Sequence, residues 1–392
     1  MSLSNSKRNI QLDILRAVAI LFVILNHVFN QPYQTGFLKP LALLMRTRLG
    51  WTGVDLFFVL SGFLIGGLLL SELKKRGRLD VGRFLIRRGF KIWPAYLVFV
   101  FFCFSTMVFI KHEPVRGTAI ALLKNLLQVQ NYSKGLRVFL WSLAVEEHFY
   151  LLLPIALLLI TRRSSRGIHV LPMVTVGTMF LCLTLRIITW RLHPKHDVFI
   201  HHAPTHLRID SLMVGVLLAY FFHFRPEVWD RFRNYRSQLL VASLVFLSPT
   251  LIYGMLSPIT GTIGFTGLAL GYGCLMLALL NTEPVGRWIK PAQLLASIGA
   301  YSYSIYLWHI DLGVVPAVWI VQRLPLRGGL AWLLIAVLAS VLATIAGIVM
   351  SRIIETPSLA LRDRLFPRYS GPFSDSHKTT FDSVREPVPI DG

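Results

Sequence analysis

Charged residues are scarce in this chain of 392 residues, and acidic ones are the scarcest. Only 15% of the residues are Asp, Glu, Lys or Arg, whereas 54% are hydrophobic and the mean hydropathy is +0.59. Soluble domains carry about 25% charged residues, so this composition excludes an ordinary soluble enzyme. Asp and Glu number 19 against 40 Lys and Arg, which gives a net charge of +21. In so apolar a chain, this excess is more typical of basic loops beside membrane helices than of nucleic-acid binding.

Cysteine is also rare. Cys103, Cys182 and Cys274 lie in apolar runs at unrelated spacings, which excludes a disulfide framework and a thiolate metal site. The loop at residues 191–206 holds five histidines and suggests zinc. Because a histidine-rich loop without cysteine is a weak metal signal, we predict no bound metal and no permanent cofactor.

Long apolar runs are abundant. A membrane-spanning helix needs about 20 apolar residues. We predict ten, at residues 12–30, 51–71, 92–110, 141–161, 168–190, 207–224, 238–256, 262–280, 292–315 and 329–350. Gly62 and Gly66 form a small-xxx-small pair, which is typical of closely packed helices.

The fold class predicted from these runs is all-α, a polytopic integral membrane bundle of about ten transmembrane helices. We expect one transmembrane domain at residues 1–360 and a basic, then disordered, cytoplasmic tail at 361–392, whose last part is polar with little to bury. Lys and Arg are more frequent in the N-terminal segment, the even-numbered loops and the tail than in the odd-numbered loops. This bias predicts that both termini are cytoplasmic.

The first predicted span carries two ionisable residues, Arg16 and His27. They are eleven positions apart, which places them on one helix face about 16 Å apart along the axis. Ionisable groups inside a membrane usually face a bundle interior or an aqueous cavity and indicate function. The alternative is a snorkelling arginine and a packing histidine.

Ionisable side chains are also predicted at the outer ends of four further helices. They are Asp55, Glu146, Glu147, Arg208, Asp210 and His309. Neighbours on a helix are 100° apart, so only one of Glu146 and Glu147 easily faces a shared site. Tyr306 lies one turn before His309, on the same face.

A basic cluster begins the third span at its inner end. It consists of Arg83, Arg87, Arg88 and Lys91 at helical spacing. Such a cluster is typical of a cytoplasmic loop beside anionic lipid, and it also suits a phosphorylated ligand.

The predicted arrangement therefore has an anion-binding inner end and an acid/base outer end. A histidine base beside a carboxylate suits the activation of a hydroxyl group for acyl transfer. The same residues suit a proton-coupled exporter or flippase of a glycan or lipid-linked sugar, with His27 and the carboxylates as a proton relay. Composition alone leaves both open.

Six sequence pieces, in order, resemble the bacterial membrane acyltransferase 3 family, polytopic enzymes that O-acylate surface polysaccharides and other glycans. The pieces are LDILRAVAILFVILNH, GVDLFFVLSGFLI, RFLIRRGFKIWPAYL, WSLAVEEHFYLLLP, RIDSLMVGVLLAY and YSYSIYLWH. Two positions depart from the family pattern: Lys91 replaces the last arginine of R-x-x-R, and His148 replaces the usual glutamine of the fourth piece.

The resemblance implies an O-acetyltransferase of the bacterial cytoplasmic (inner) membrane that moves an acyl group, in the first place acetyl, from acyl-CoA to a hydroxyl of a cell-surface or exported glycan. His27 is the expected general base, oriented by Asp55 or Glu146, and an acyl-histidine intermediate stays open. The expected catalytic residues are His27, Arg16, Asp55, Glu146 and Glu147. The expected coenzyme-binding residues are Arg83, Arg87, Arg88, Lys91 and Tyr96. The expected acceptor-binding residues are Trp141, Tyr150, Arg208, Asp210, Tyr306 and His309. The expected partners are acyl-CoA, the glycan or lipid-linked acceptor and the bilayer, without nucleic acid.

Overall fold

A computed structural model describes residues 9–29, 36–162, 165–280 and 286–367. Within these ranges every regular element is helical and none is a strand. Helices satisfy their own backbone polar groups, which hydrocarbon requires of a spanning segment. The α-helices are α1 Ile10–Phe29, α2 Lys39–Leu43, α3 Gly53–Arg76, α4 Val81–Ser105, α5 Val115–Leu126, α6 Trp141–Thr161, α7 Leu171–Leu192, α8 Ile209–Phe224, α9 Pro226–Arg233, α10 Arg236–Tyr253, α11 Phe265–Leu280, α12 Ile289–Ala300, α13 Ser302–Trp308, α14 Val315–Val321, α15 Gly328–Met350 and α16 Thr356–Leu365.

In the described ranges, nine helical stretches are long and apolar enough to cross a membrane. They are Ile10–Phe29, Lys39–Arg76, Val81–Ile110, Val138–Thr161, Gly167–Leu192, Arg236–Tyr253, Thr260–Leu280, Ser302–Val321 and Gly328–Leu365. The predicted sixth span is present as α8, a shorter apolar helix of 16 residues. The prediction of an all-α polytopic membrane protein is confirmed. Residues 368–392 of the predicted tail lie outside the described ranges.

The predicted ninth span, 292–315, is divided in the structure. Helix α12 ends at Ala300, Tyr301 has non-helical backbone angles, and the spanning stretch is Ser302–Val321. Helix α12 instead packs against α1, where a Cβ on Gly299 would lie 1.8 Å from the Asp13 carbonyl oxygen. Apolar content alone did not separate the two helices, because apolar residues continue through both of them.

The described residues form two compact units, each considered by itself. Unit 1 comprises the described residues within 1–46 and 279–392, and unit 2 comprises those within 47–278. In unit 1, α1 packs against α12, α13 and α15. A π-helical turn at His309–Val314 joins α13 to α14 and packs against α15.

In unit 2 the most extensive contact is between α3 and α8. A Cβ on Gly62 would lie 1.9 Å from the Leu212 carbonyl oxygen, and a Cβ on Gly215 would lie 2.1 Å from that of Val59. Only glycine permits so close a backbone approach, as the small-residue pair predicted. This contact fixes the relative positions of the charged residues at the first turns of α3 and α8.

Candidate functional site

Two histidines meet in unit 1. His27 lies in the last turn of α1, and His309 is completely buried at the start of the π-helical turn. The distance from His309 Nε2 to His27 Nδ1 is 3.3 Å, and the ring centroids are 4.9 Å apart in an edge-to-face arrangement. A π turn redirects side chains relative to an α-helix and is frequent at functional sites.

The backbone partners of the two rings assign their tautomers. His309 Nδ1 lies 2.6 Å from the Tyr306 carbonyl oxygen, and His27 Nδ1 lies 2.8 Å from the Val23 carbonyl oxygen. Because a carbonyl only accepts, each Nδ1 carries the hydrogen of a neutral ring. With both rings in this form, His309 Nε2 is the acceptor in the 3.3 Å contact, and its donor is the His27 Nδ1–H that is shared with the Val23 carbonyl oxygen. His27 Nε2 is consequently the nitrogen with the lone pair, the form required of a general base.

The other predicted residues of unit 1 are Tyr306 on α13 and Arg16 on α1. Tyr306 contacts the ring of His309, with centroids 5.7 Å apart. Arg16 precedes His27 on the same uninterrupted helix and pairs with Asp13 at 3.1 Å, with 22% of its side chain exposed. The orientation of His27 by Asp55 or Glu146 stays a prediction, since within unit 1 its ring contacts Val23 and His309.

Sequence reasoning missed one carboxyl group in unit 1. Glu355 is 2% exposed and accepts a hydrogen bond from the buried Ser304 hydroxyl. It belongs to a π-helical turn, Ser351–Glu355, at the end of α15. An acidic residue that ends a long apolar run is a signal that could have identified it.

Unit 2 contains two fully buried ion pairs. Arg208, immediately before α8, donates to Asp55 of α3 at 2.5 Å, and Arg186 of α7 donates to Asp210 of α8. All four side chains are inaccessible to solvent. Arg208 also lies 3.8 Å from the centroid of the Phe265 ring, a cation–π contact. Arg186 was visible in the sequence as a charge inside a span, but its pairing was not.

These ion pairs are incompletely hydrogen-bonded within the described residues. Asp55 Oδ2, Arg186 Nη1 and Arg208 Nε and Nη1 are buried there without a hydrogen-bond partner. Taking charges out of water is costly, and only the opposite charge compensates it. The structure thus brings Asp55, Arg208 and Asp210 together. Each of them is buried in an ion pair between helices.

A second polar network in unit 2 connects the basic cluster to α6. Arg88 Nη2 donates to the Tyr150 hydroxyl at 2.8 Å, with the guanidinium carbon 4.5 Å from the ring centroid. The Tyr150 hydroxyl donates to Glu146 and lies 2.8 Å from the Ser61 hydroxyl. The predicted coenzyme-binding residue Arg88 therefore contacts the predicted acceptor-binding residue Tyr150, whose hydroxyl in turn contacts the predicted catalytic residue Glu146.

The remaining predicted residues of unit 2 have their own partners. Glu147 Oε2 accepts from Trp93 Nε1 at 3.2 Å. The buried Tyr96 hydroxyl donates to the Asn125 carbonyl oxygen at 3.0 Å. Trp141 packs against Phe58, with ring centroids 5.8 Å apart. Helix α4 begins at Val81, capped by Asp80, so the predicted basic cluster is helical and Arg83, Arg87 and Lys91 lie on one face of its first turns.

The histidine-rich segment between α7 and α8 is largely packed against aromatic rings. His202 lies 4.9 Å from the Trp141 ring centroid and 5.2 Å from that of Phe265. Burial, together with the nearby Arg208 charge, holds the pKa of His202 well below its usual range. No group of three or more His, Cys, Asp or Glu residues in the described part of the chain is suited to hold a metal ion.

Comparison with known proteins gives one family and several relatives. A family model described as an acyltransferase domain, acyltransferase 3, matches residues 9–352. The O-acetyltransferase OatA of Staphylococcus aureus strain NCTC 8325 is 28% identical over 375 residues, which cover 88% of this chain and 56% of OatA. A protein of S. aureus strain COL, provisionally named an O-acetyltransferase, is 28% identical over 324 residues, covering 76% of this chain and 49% of the relative.

The chain thus spans about half the length of the curated relatives it matches. No solved structure matches it. The family match confirms the resemblance carried by the six sequence pieces.

Proposed function

Because the chain belongs to the acyltransferase 3 family, we propose that it is an O-acetyltransferase that moves an acetyl group from acetyl-CoA to a hydroxyl of a cell-surface or exported glycan. It acts in the bacterial cytoplasmic membrane, with both termini in the cytoplasm and the coenzyme arriving from that side. The contact between His27 and His309 carries the proposal, since it leaves the lone pair on His27 Nε2.

The reaction needs one base and one leaving group. His27 Nε2 takes the proton of the acceptor hydroxyl while its oxygen attacks the thioester carbonyl. A carbon–oxygen bond forms, the carbon–sulfur bond breaks, and the imidazolium returns the proton to the departing thiolate as coenzyme A. His309 and the Val23 carbonyl hold the ring during both transfers, because both receive its Nδ1–H.

Arg16 is suited to hold the donor at a distance from the reacting carbonyl. On the continuous helix α1 it lies eleven residues before His27, about 16 Å along the axis. That separation favours contact with the coenzyme over contact with the oxyanion. Asp13 neutralises part of its charge and fixes its direction.

The basic face of α4 supplies the phosphate contacts in this proposal. Arg83, Arg87 and Lys91 are arranged at four-residue intervals along one face. Arg88 is engaged with Tyr150, so it links the coenzyme-binding helix to α6. The buried pairs of Asp55 with Arg208 and of Asp210 with Arg186 give these residues positioning roles.

The test uses membrane vesicles supplied with acetyl-labelled coenzyme A at matched expression. We expect label in the glycan fraction for the native chain and a loss of about 10²- to 10⁴-fold for His27→Ala, the usual contribution of a general base. His193→Ala, an exposed histidine of the segment between α7 and α8, is the matched control and should retain transfer.

The outcomes test the role of His27 and the transfer reaction independently of each other. Equal label from the native chain and His27→Ala, above vesicles without the protein, would overturn the role of His27. No label from the native chain, with coenzyme entry and acceptor both demonstrated, would overturn acetyl transfer from coenzyme A.

A further inference from the structure

Unit 2 contains a cavity that the proposed reaction does not use. Its volume is about 410 Å³, and it lies where α6 and α7 approach the segment that precedes α8. One end is polar and aromatic, and the rest is apolar. Such a division suits a ligand that is itself divided into a polar and an apolar part.

The polar end is built from two connected pairs. The rings of Tyr132 and His206 are stacked, with centroids 5.8 Å apart and planes inclined by 15°. His148 Nδ1 lies 2.6 Å from the Thr205 hydroxyl, and His148 is one of the two residues that depart from the family pattern. Tyr132 is 46% exposed, so its ring is accessible. Among the described residues that line the cavity, none is Asp, Glu, Lys or Arg.

The apolar end follows one face of α7. Thr178, Leu181, Cys182 and Leu185 are spaced at i, i+3, i+4 and i+7, so they form a stripe about 10 Å long. Leu152, one turn after His148 on α6, lies on the opposite wall. Leu181 is 59% and Leu152 50% exposed, so the wall is open to the surroundings of the helices, which in a membrane are hydrocarbon.

We propose that this cavity binds the acceptor as a glycolipid. The sugar lies against the Tyr132 and His206 rings, where imidazole, phenol and hydroxyl groups exchange hydrogen bonds with its hydroxyls. The hydrocarbon chain lies along the stripe on α7. An uncharged polar end disfavours a phosphate at that position, because a partly buried charge without a counter-charge is costly. This inference rests on the proposed acetyl transfer and adds the class of its acceptor.

The binding test uses the full chain in liposomes, without detergent. The probe is an alkyl glucoside with a photoreactive diazirine in its chain, and the comparison probe is an alkyl phosphate with the same chain. We expect the glucoside to label the α7 stripe. Leu181→Trp should reduce that labelling about tenfold or more, because overfilling a cavity typically has an effect of that size. Leu159→Trp, on an equally exposed leucine of α6 outside the cavity, should leave it unchanged.

Equal labelling by the phosphate probe would overturn the proposal, since the cavity would then accept any bilayer amphiphile. Equal labelling of Leu181→Trp and Leu159→Trp would overturn the assignment to this cavity.

A transfer assay separates this inference from the proposed function. With labelled acetyl-CoA, the native chain should acetylate the alkyl glucoside in preference to methyl glucoside, and Leu181→Trp should lose that preference. If the native chain acetylated methyl glucoside as well as the alkyl glucoside, acetyl transfer would stand and the glycolipid site would be wrong. If neither sugar were acetylated while the α7 stripe was labelled selectively, the site would stand and the transfer reaction would fall.

Discussion

One buried cluster in each unit accommodates polar groups inside an apolar protein, and the two clusters do so in different ways. In unit 2, Arg208 with Asp55 and Arg186 with Asp210 are full charges that compensate each other. In unit 1, His27 and His309 contact each other as neutral rings, each also tied to a backbone carbonyl. Each paired charge is compensated by its counter-charge, whereas a neutral imidazole keeps a lone pair that can accept a proton. From this comparison we propose a framework role for the first cluster and a chemical role for the second.

The largest effect is expected when the buried ion pair of Arg208 with Asp55 is broken. Arg208→Met leaves Asp55 buried without its counter-charge, which should lower the free energy of unfolding by about 3–5 kcal/mol. The apparent unfolding temperature in liposomes or detergent measures it. Arg323→Met, which removes an exposed arginine stacked on Trp319, is the control and should have little effect.

The double variant Arg208→Met with Asp55→Leu sharpens this test. Replacing both members of a buried pair by apolar residues is often nearly neutral, so much of the stability should return. If the double variant were less stable than Arg208→Met alone, the framework role of the pair would be wrong.

The next effect concerns the histidine pair. His309→Phe removes the side-chain acceptor for His27 Nδ1–H, and acetyl transfer should fall about 10- to 100-fold, as for other partners that orient a histidine. His309→Gln keeps an acceptor oxygen and should recover part of the rate. Kinetics at saturating donor, with the unfolding temperature as a companion measurement, distinguish positioning from folding. Equal losses in both variants would contradict the tautomer assignment.

A smaller effect is expected where one hydroxyl joins charged groups. Tyr150→Phe removes the group shared by Arg88, Glu146 and Ser61. Unpartnered buried polar atoms should lower the free energy of unfolding by about 1–3 kcal/mol. Tyr235→Phe, on a half-exposed tyrosine, is the matched control. If the free energy of unfolding decreased no more in Tyr150→Phe than in the control, the stabilising role of this network would be wrong.

The smallest effect is a pH dependence in unit 2. Burial lowers the pKa of His202 in the folded chain, so below its unfolded value of about 6.5 the unfolded chain binds the extra proton. Stability should therefore fall as the pH decreases below 6.5, by about 1 kcal/mol per pH unit from this residue. Unfolding temperatures at pH 7.5 and 5.5 should differ less in His202→Gln than in the native chain. His193→Gln should keep the native difference, and a His202→Gln profile identical to the native one would contradict the prediction.

Much of the fold was accessible from the sequence because membrane helices are encoded locally. Apolar runs of spanning length predicted the helices. Gly62 and Gly66 predicted a closely packed helix, and the structure shows that its partner is α8. The span predicted at residues 292–315 was wrong, because the apolar run continues through Tyr301 and nothing in its composition marks the end of α12 there. Glu355 was missed as a candidate because it lies beyond the conspicuous motifs.

The site was less accessible because its partners are distant in sequence. Glu146 and Tyr150 were each singled out, but their junction with Arg88, 62 positions before Tyr150, depends on how α4 packs against α6. The cavity beside His148 likewise needs α7 and the segment before α8 in place.

By itself, the sequence determined that this protein spans a membrane with helices and that Arg16 and His27 share one helix, since hydropathy and helical periodicity act over neighbouring residues. Only the tertiary structure decided which groups meet. His27 and His309 are 282 positions apart, and Asp55 and Arg208 are 153 apart. The physical reason is that a hydrogen bond requires two side chains within about 3 Å in the correct direction, and helix packing together with a π turn sets that distance and direction.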